Sequence, residues 1–166
     1  MGQVRRAGGQ DVAAAVAVIA EVAPEGALGA EPPVDRERQA GALRSVLDAG
    51  GRAAVWVLDG DAGAVVGYAV ARERIAGVVS LSMAVAPAAR GRGGGRRLLD
   101  AVLAHAASTG AHKVDLEVWP DNGRAIALYA SAGFVVEGLK RDHYRRRDGT
   151  LRSALLMGRP VVSPRP

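Results

Sequence analysis

The sequence of 166 residues contains no cysteine and a single phenylalanine, Phe134. Without cysteine there can be no disulfide framework, no thiolate metal site and no cysteine nucleophile. The three histidines, His105, His112 and His143, are scattered without ligand-like spacing, so no metal is expected. Lysine is nearly absent too: Lys113 and Lys140 are the only two, and arginine carries the remaining positive charge. No apolar run approaches the roughly 20 residues of a membrane span. Arg5 and Arg6 precede an alanine–valine run that superficially looks like a signal sequence, but Asp11 and Glu21 bracket it and leave it too short. Gly2 does not open a myristoylation signal, because Arg6 stands where that signal needs Ser or Thr. A soluble, cytoplasmic protein is the simplest expectation.

What is present is ordinary in bulk. Hydrophobic residues make up 49% and charged residues 23%, enough apolar material for one folded domain with a real core. That domain is expected over residues 1–159, with 160–166 as a frayed tail. The net charge of +5 suggests an acidic or phosphorylated partner. Heavy use of Ala, Gly, Arg and Val also fits coding bias in a GC-rich genome. Nucleic acid is therefore not an expected partner.

Hydrophobic periodicity divides the chain into alternating elements. A short strand over Gln3 to Ala7 precedes a helix carrying Val12, Val16, Ile19 and Ala23 on one face, with Asp11 as its N-cap. Glu25 to Val34 is an irregular loop. Asp35 caps a second helix with Ala40, Leu43 and Leu47 inward, stopped by Gly50-Gly51. Strands follow over Ala53 to Leu58, Ala64 to Arg72 and Val78 to Val85, the first two joined by a hairpin turn at Asp59 to Gly63. A helix with Leu98, Leu99, Val102 and Leu103 inward runs to Gly110. Then come a strand from Val114 to Val118, a helix from Asn122 to Ala132, and two strands meeting at Arg147-Asp148-Gly149-Thr150. The order β-α-α-β-β-β-α-β-α-β-β predicts an α/β (α+β) fold with a mixed, mostly antiparallel sheet flanked by helices.

One stretch carries chemistry. Arg90-Gly91-Arg92-Gly93-Gly94-Gly95-Arg96-Arg97 leaves an apolar strand and opens an amphipathic helix. The first amides of a helix have no internal acceptor and point outward as anion donors, and glycine lets a ligand come close to them. No lysine follows the glycines, so this is not a P-loop. A dinucleotide fingerprint from Gly91 would need glycine where Arg96 stands. The ordered strand and helix expected on either side argue against an RGG-type RNA tract, since such tracts are disordered.

The loop has the form Arg/Gln-x-x-Gly-x-Gly/Ala, and downstream lies Asn122-x-x-Ala125-x-x-Leu128-Tyr129-x-x-x-Gly133-Phe134. Together, in this order and on these elements, the two patterns resemble the GCN5-related N-acetyltransferase (GNAT) family. The resemblance implies an acetyl-CoA-dependent N-acetyltransferase, with direct transfer to an amine acceptor and acetyl-CoA as co-substrate. It implies that Arg90, Gly91, Arg92, Gly93, Gly94, Gly95 and Arg96 hold the CoA pyrophosphate. Met83, Ala84 and Val85 would hydrogen-bond the pantetheine arm as an added strand would, and Asn122 would contact the same arm or simply cap its helix. Tyr129 takes the position of the acid that protonates the thiolate, and Glu117, twelve residues earlier, that of the base. Glu31 and Trp119 are candidate acceptor-binding residues. The resemblance also allows a homodimer.

Gly94 departs from the family pattern, in which Ile, Leu or Val often anchors the loop. A triple glycine is expected to forgo that anchor and leave the loop ordered mainly by its ligand. The run Arg141 to Arg147 reads as a solvated strand and turn rather than a binding patch. A non-catalytic acyl-CoA-binding module on the same fold is the alternative reading. The acceptor itself is not legible, because acceptor loops vary while a cofactor site persists.

Overall fold

The computed structural model describes residues 2–161; of the expected tail, 162–166 lie outside the described residues. Seven strands form one open sheet: β1 (Val4–Arg6), β2 (Ala54–Asp59), β3 (Val65–Ile75), β4 (Val78–Val85), β5 (Lys113–Val118), β6 (Val135–Arg145) and β7 (Leu151–Pro160). They lie in the order β1-β2-β3-β4-β5-β7-β6, and every pairing is antiparallel except β4 with β5. Four helices flank the sheet: α1 (Val12–Val22), α2 (Arg36–Ala49), α3 (Gly94–Ser108) and α4 (Gly123–Ser131). This is the mixed, mostly antiparallel architecture expected from the element order. Pro160 closes β7 rather than starting a tail, and the Val161 N–H donates to the His112 carbonyl at 2.8 Å.

The strands alternate between two cores. On one face α1 and α2 bring Val12, Val16, Ile19, Leu43 and Val46 onto Val55, Tyr68 and Val70. On the other, α3 and α4 pack Leu98, Leu99, Val102 and Tyr129 against Trp56, Leu58, Ala69, Leu81 and Leu116. Because both faces of β2 and β3 are covered, β2 reads as an unbroken apolar run, Ala54 to Leu58, instead of alternating. Each fully buried Leu or Val contributes roughly 1.5–3 kcal/mol. The helices α1 and α2 stop short of β5, β7 and β6, so that half of their face stays open.

Local details depart from the periodicity. Asp11 precedes α1 but its carboxylate does not cap that helix. It accepts from the Gly8 N–H at 2.8 Å and from the Arg5 guanidinium at 2.7 and 2.9 Å, and it is itself buried. The stronger charged donor has captured the cap. Strand β3 runs three residues past Arg72, with a register shift between Glu73 and Ile75. Strand β6 carries a larger irregularity between Lys140 and Tyr144, with Asp142 at φ 48°. Four residues of β6 there span two of β7, from Ala154 to Arg152. Such bulges bend a strand and re-aim its side chains.

Gly94 is the clearest correction. It is not an absent anchor: a Cβ there would lie 2.5 Å from Leu58 Cδ2, and Leu58 is buried in the α3-side core. The volume that a branched residue would supply from the loop comes instead from β2. Two effects therefore oppose each other in Gly94→Ala. Helix propensity favours alanine by about 1 kcal/mol, while overpacking a filled core costs about 1–3 kcal/mol. With Leu58 enclosed, steric cost wins. Gly94→Ala should lower the thermal midpoint, and the loss should shrink when the same change is made in a Leu58→Ala background. A rise in midpoint for the single variant in thermal denaturation would show that the loop lacks this contact.

Candidate active site

The site begins with an incomplete strand pairing. Strands β4 and β5 are paired at only three positions, Val78–Lys113, Val79–Val114 and Ser80–Asp115, and then diverge. The Ala86 N–H donates to the Val66 carbonyl, which marks the even-numbered residues of β4 as those bonded to β3. Leu81, Met83 and Val85 therefore direct their backbone groups across the gap toward β5. The gap opens into a cleft of about 1210 Å³ that collects the glycine loop, β4, β5, the start of α4 and the loop after α1.

At one end the chain enters α3 through Gly91 and Gly93, both in the left-handed region at φ 76° and 75°. That conformation is open to glycine and strained for other residues, and a Cβ at either position would meet nothing within 4 Å. No side chain caps α3. The first intrahelical-type bond is Arg97 N–H to Gly93 O, so the amides of Gly94, Gly95 and Arg96 have no acceptor within the helix. Gly91, Gly93, Gly94, Gly95 and Arg96 line the cleft. A bare helix N-terminus reached over two side-chain-free residues fits a phosphate or pyrophosphate.

The arginines of the motif have separate duties. Arg90 donates through Nε to the Val85 carbonyl at 2.8 Å and holds Glu25 in a two-point fork at 2.9 and 2.7 Å. It thus ties the glycine loop to β4 and to the segment after α1. Arg96 pairs with Asp100 one turn along α3 at 2.9 Å. Arg92 is exposed, 3.6 Å from an exposed Asp61. Met83, Ala84 and Val85 line the cleft from β4, although the Val85 carbonyl is already engaged by Arg90.

Helix α4 supplies the opposite wall. Asn122 lines the cleft, and its Oδ1 caps the helix by accepting from the Ala125 N–H at 3.2 Å. Two turns on, Tyr129 is buried with its ring tilted against Phe134 at 5.8 Å between centroids, and it too lines the cleft. Burial pushes its phenol up to about 12, because a phenolate there would lose its hydration. At neutral pH this group keeps its proton.

The far half of the cleft lies on the open face of β5, β7 and β6. The Glu117 carboxylate receives Lys140 Nζ at 2.6 Å and the Tyr144 hydroxyl. Burial works to raise its pKa, but these two donors outweigh burial and hold it below the ordinary carboxylate value. Tyr144 is correspondingly pushed up to about 12 by burial and by the bond to Glu117. Trp119 is buried beside them, edge-on to Tyr144 at 5.3 Å, with the Arg152 guanidinium 4.7 Å over its ring. Its Nε1–H donates to the Leu28 carbonyl at 3.3 Å, linking this wall to the loop after α1.

Glu31 stands outside the cleft lining. It accepts from the Arg147 N–H at 3.1 Å and pairs with Arg146 at 3.5 Å, pinning the loop after α1 to the β6–β7 turn. The run Arg141 to Arg147 is also more than a solvated surface, since Tyr144 enters the cleft and Arg146 and Arg147 hold the loop. Lys140, Tyr144 and Arg74 line the site but carry no motif in the sequence. Only the register of β6 on β7, and of β7 on β5, brings Lys140 and Tyr144 to Glu117. The alternating charge on β6 was the sole available signal.

Comparison with known proteins agrees with this geometry. The model of the acetyltransferase (GNAT) family matches residues 19–134. The N-alpha-acetyltransferase RimI of Mycobacterium tuberculosis is 48% identical over 64 residues, 39% of this chain and 39% of that protein. The chain covers only 17% and 53% of two other curated relatives, so it spans about half or less of their length. A ribosomal-protein-alanine N-acetyltransferase structure from Brucella melitensis superimposes with a TM-score of 0.85 at 27% identity, covering 95% of this chain and 99% of the other. A phosphinothricin acetyltransferase from Sinorhizobium meliloti, solved in complex with AcCoA, gives a TM-score of 0.83 at 25% identity, with 96% and 88% covered. With a glycine loop opening α3, a split between β4 and β5 and a family match over most of its length, the chain belongs to the GNAT family of acetyltransferases.

Proposed function

We propose that this chain is an acetyl-CoA-dependent N-acetyltransferase that moves an acetyl group directly onto a primary amine of a small molecule, peptide or protein. One observation carries the reading: a single cleft joins an uncapped helix N-terminus to a buried, protonated phenol through the gap between β4 and β5. The amides of Gly94, Gly95 and Arg96 would take the pyrophosphate of the donor, and the outward groups of Met83 would take its arm as a strand edge takes a new strand. Acetyl-CoA, when bound, supplies an activated thioester whose leaving group is a thiolate.

The residues of the cleft then divide the proton work. Tyr129 holds a proton at its hydroxyl in an apolar setting where a departing anion needs one. Glu117 is ionised throughout the neutral range and faces the acceptor half, where it attracts an ammonium group and takes up its proton. Lys140 and Tyr144 lower its basicity, so Glu117 works as an electrostatic guide and a weak base. Backbone N–H groups at the splayed end of β4 are placed to polarise a carbonyl in the gap.

A thiol-release assay with acetyl-CoA against a panel of amines tests the activity. Tyr129→Phe should lower kcat on the order of 100-fold and leave the KM for acetyl-CoA unchanged, since the ring stays and only the proton is lost. An unchanged kcat would remove Tyr129 from the mechanism. Saturable acetyl-CoA binding with no thiol release from any amine would identify a non-catalytic acyl-CoA-binding module instead.

The pH profile separates the two groups. Glu117 lies below its ordinary range, so its protonation should not limit the rate near neutrality. The reactive amine must be neutral, so kcat/KM should rise with pH until the amine has lost its proton. Tyr129 is held up to about 12, so no falling limb should appear at pH 10. A decline centred near pH 10, the ordinary phenol value, would show that the acid is a less buried group.

A further inference from the structure

The chain has two lysine side chains, and one of them stands in the acceptor half of the cleft. Lys140 and Glu117 come from β6 and β5, with β7 between them. Lys140 lies opposite Ala154 and Glu117 opposite Leu156, two residues apart on β7, so the lysine stem reaches diagonally across that strand. Its ammonium meets the carboxylate at 2.6 Å, and the two side chains stay 33% and 26% exposed along the cleft. The β6 bulge begins at Lys140 and returns Tyr144 to the same carboxylate. Lys113 makes an equally short pair with Glu137, but neither of those residues lines the cleft.

A purely structural ion pair does not call for lysine at this position. Two other carboxylates of the cleft are held by arginine, Glu25 by Arg90 and Asp121 by Arg152. The arginine fork grips a carboxylate at two points and does not give up its proton. Lysine makes a single contact, and a partly exposed pair of that kind adds little stability. What lysine offers instead is a nitrogen that becomes a nucleophile once a proton leaves it. Glu117 is the proposed proton acceptor for the amine, so Lys140 Nζ already occupies the position that an acceptor amine would take.

We propose that Lys140 is a self-acetylation site, at which the chain transfers an acetyl group from acetyl-CoA to its own Nζ. The inference rests on the acetyltransferase reading. Nζ gives one proton to Glu117, and the freed lone pair attacks the thioester carbonyl carbon. The N–C bond forms, the C–S bond breaks, and the departing sulfur takes the proton held by Tyr129. The new amide nitrogen sheds a second proton. Once Tyr129 and Glu117 are restored, one proton in all has passed to solvent.

The modification changes the site that performs it. The product amide is neutral, so Glu117 loses its counter-cation and keeps the Tyr144 hydroxyl. Lys140 is one of the two donors that hold the Glu117 carboxyl below its ordinary value. Acetylation therefore makes Glu117 a stronger base and frees the ammonium position for an acceptor that arrives from solution.

The test incubates the full chain with acetyl-CoA and no added amine, and follows both lysines by mass spectrometry of their peptides. Lys113 is the internal control for uncatalysed acylation. Lys140 should be acetylated faster than Lys113 by on the order of tenfold or more, at a rate per chain independent of protein concentration. In concentrated urea the two lysines should react alike. Glu117→Gln should slow Lys140 by on the order of tenfold and leave Lys113 unchanged. Uncatalysed acylation predicts the opposite sign, because loss of the carboxylate makes the amine easier to deprotonate. Equal rates for the two lysines in the folded chain, a rate proportional to protein concentration, or undiminished acetylation of Lys140 in Glu117→Gln each overturns the inference. Thiol release with added amines while Lys140 stays unmodified also overturns it and leaves the activity standing. No thiol release with any amine and no acetyl group on either lysine overturns both this inference and the activity on which it rests.

Discussion

The structure depends on one unsatisfied pairing. A parallel strand pair that held its register from Val78 to Val85 would close the sheet and leave no site. After Ser80–Asp115 the two strands separate, and the sheet carries two stable halves on either side of a wedge. Each half is antiparallel and continuous: β1 to β4 on one side, and β5, β7 and β6 on the other. The strand edges exposed in the wedge are costly if left dry and unpaired. That cost is what a strand-like ligand arm can relieve, and the helices α3 and α4 are stationed at the two sides of the opening. The cleft is therefore a consequence of sheet topology, and its chemistry is added by whichever side chains border the gap.

Arginine does structural work here that a lysine could not do as well. Loops rich in glycine and proline leave backbone carbonyls without N–H partners, and a guanidinium can satisfy several at once. Arg52 reaches the Thr109 carbonyl, Arg90 that of Val85, Arg152 that of Gly26 and Arg159 that of Ala132. The two lysines have single carboxylate partners reached across β7, Lys113 with Glu137 and Lys140 with Glu117. Much of the positive charge is thus absorbed in holding loops over the sheet. This is the physical reason that the net charge of +5 is a poor guide to partners.

What the sequence discloses is what local rules govern. Helix and strand order, the glycine loop and the α4 pattern around Asn122 and Tyr129 all depend on periodicity or on residues close in the chain. Contacts that join distant segments were hidden. Leu58 and Gly94 lie on β2 and at the start of α3, so the close approach that requires glycine there had no local signature. Asp11 looked like a helix cap because capping is the local option, and Arg5 overrode it through a stronger charged bond. Glu117, Lys140 and Tyr144 meet only through β7, and the β6 bulge that aims Tyr144 has no motif. Glu31 was placed by its loop near an acceptor, yet the β6–β7 turn claims it.

The same topology sets the proposed acid and the proposed base apart. Tyr129 sits on the α4 side, enclosed by Phe134 and the apolar residues of the α3-side core, where only the neutral phenol is comfortable. Glu117 sits on the opposite sheet face, where α1 and α2 do not reach and two donors favour its anion. Their proton affinities move in opposite directions for separate reasons, one by lost hydration and the other by gained hydrogen bonds. Neither depends on a direct contact between them. A proton source and a proton acceptor on opposite faces of one sheet can act on the same reaction only where that sheet is open, and the gap between β4 and β5 is that opening. The missing pairing is thus what allows the two environments to be tuned independently and still border one cleft.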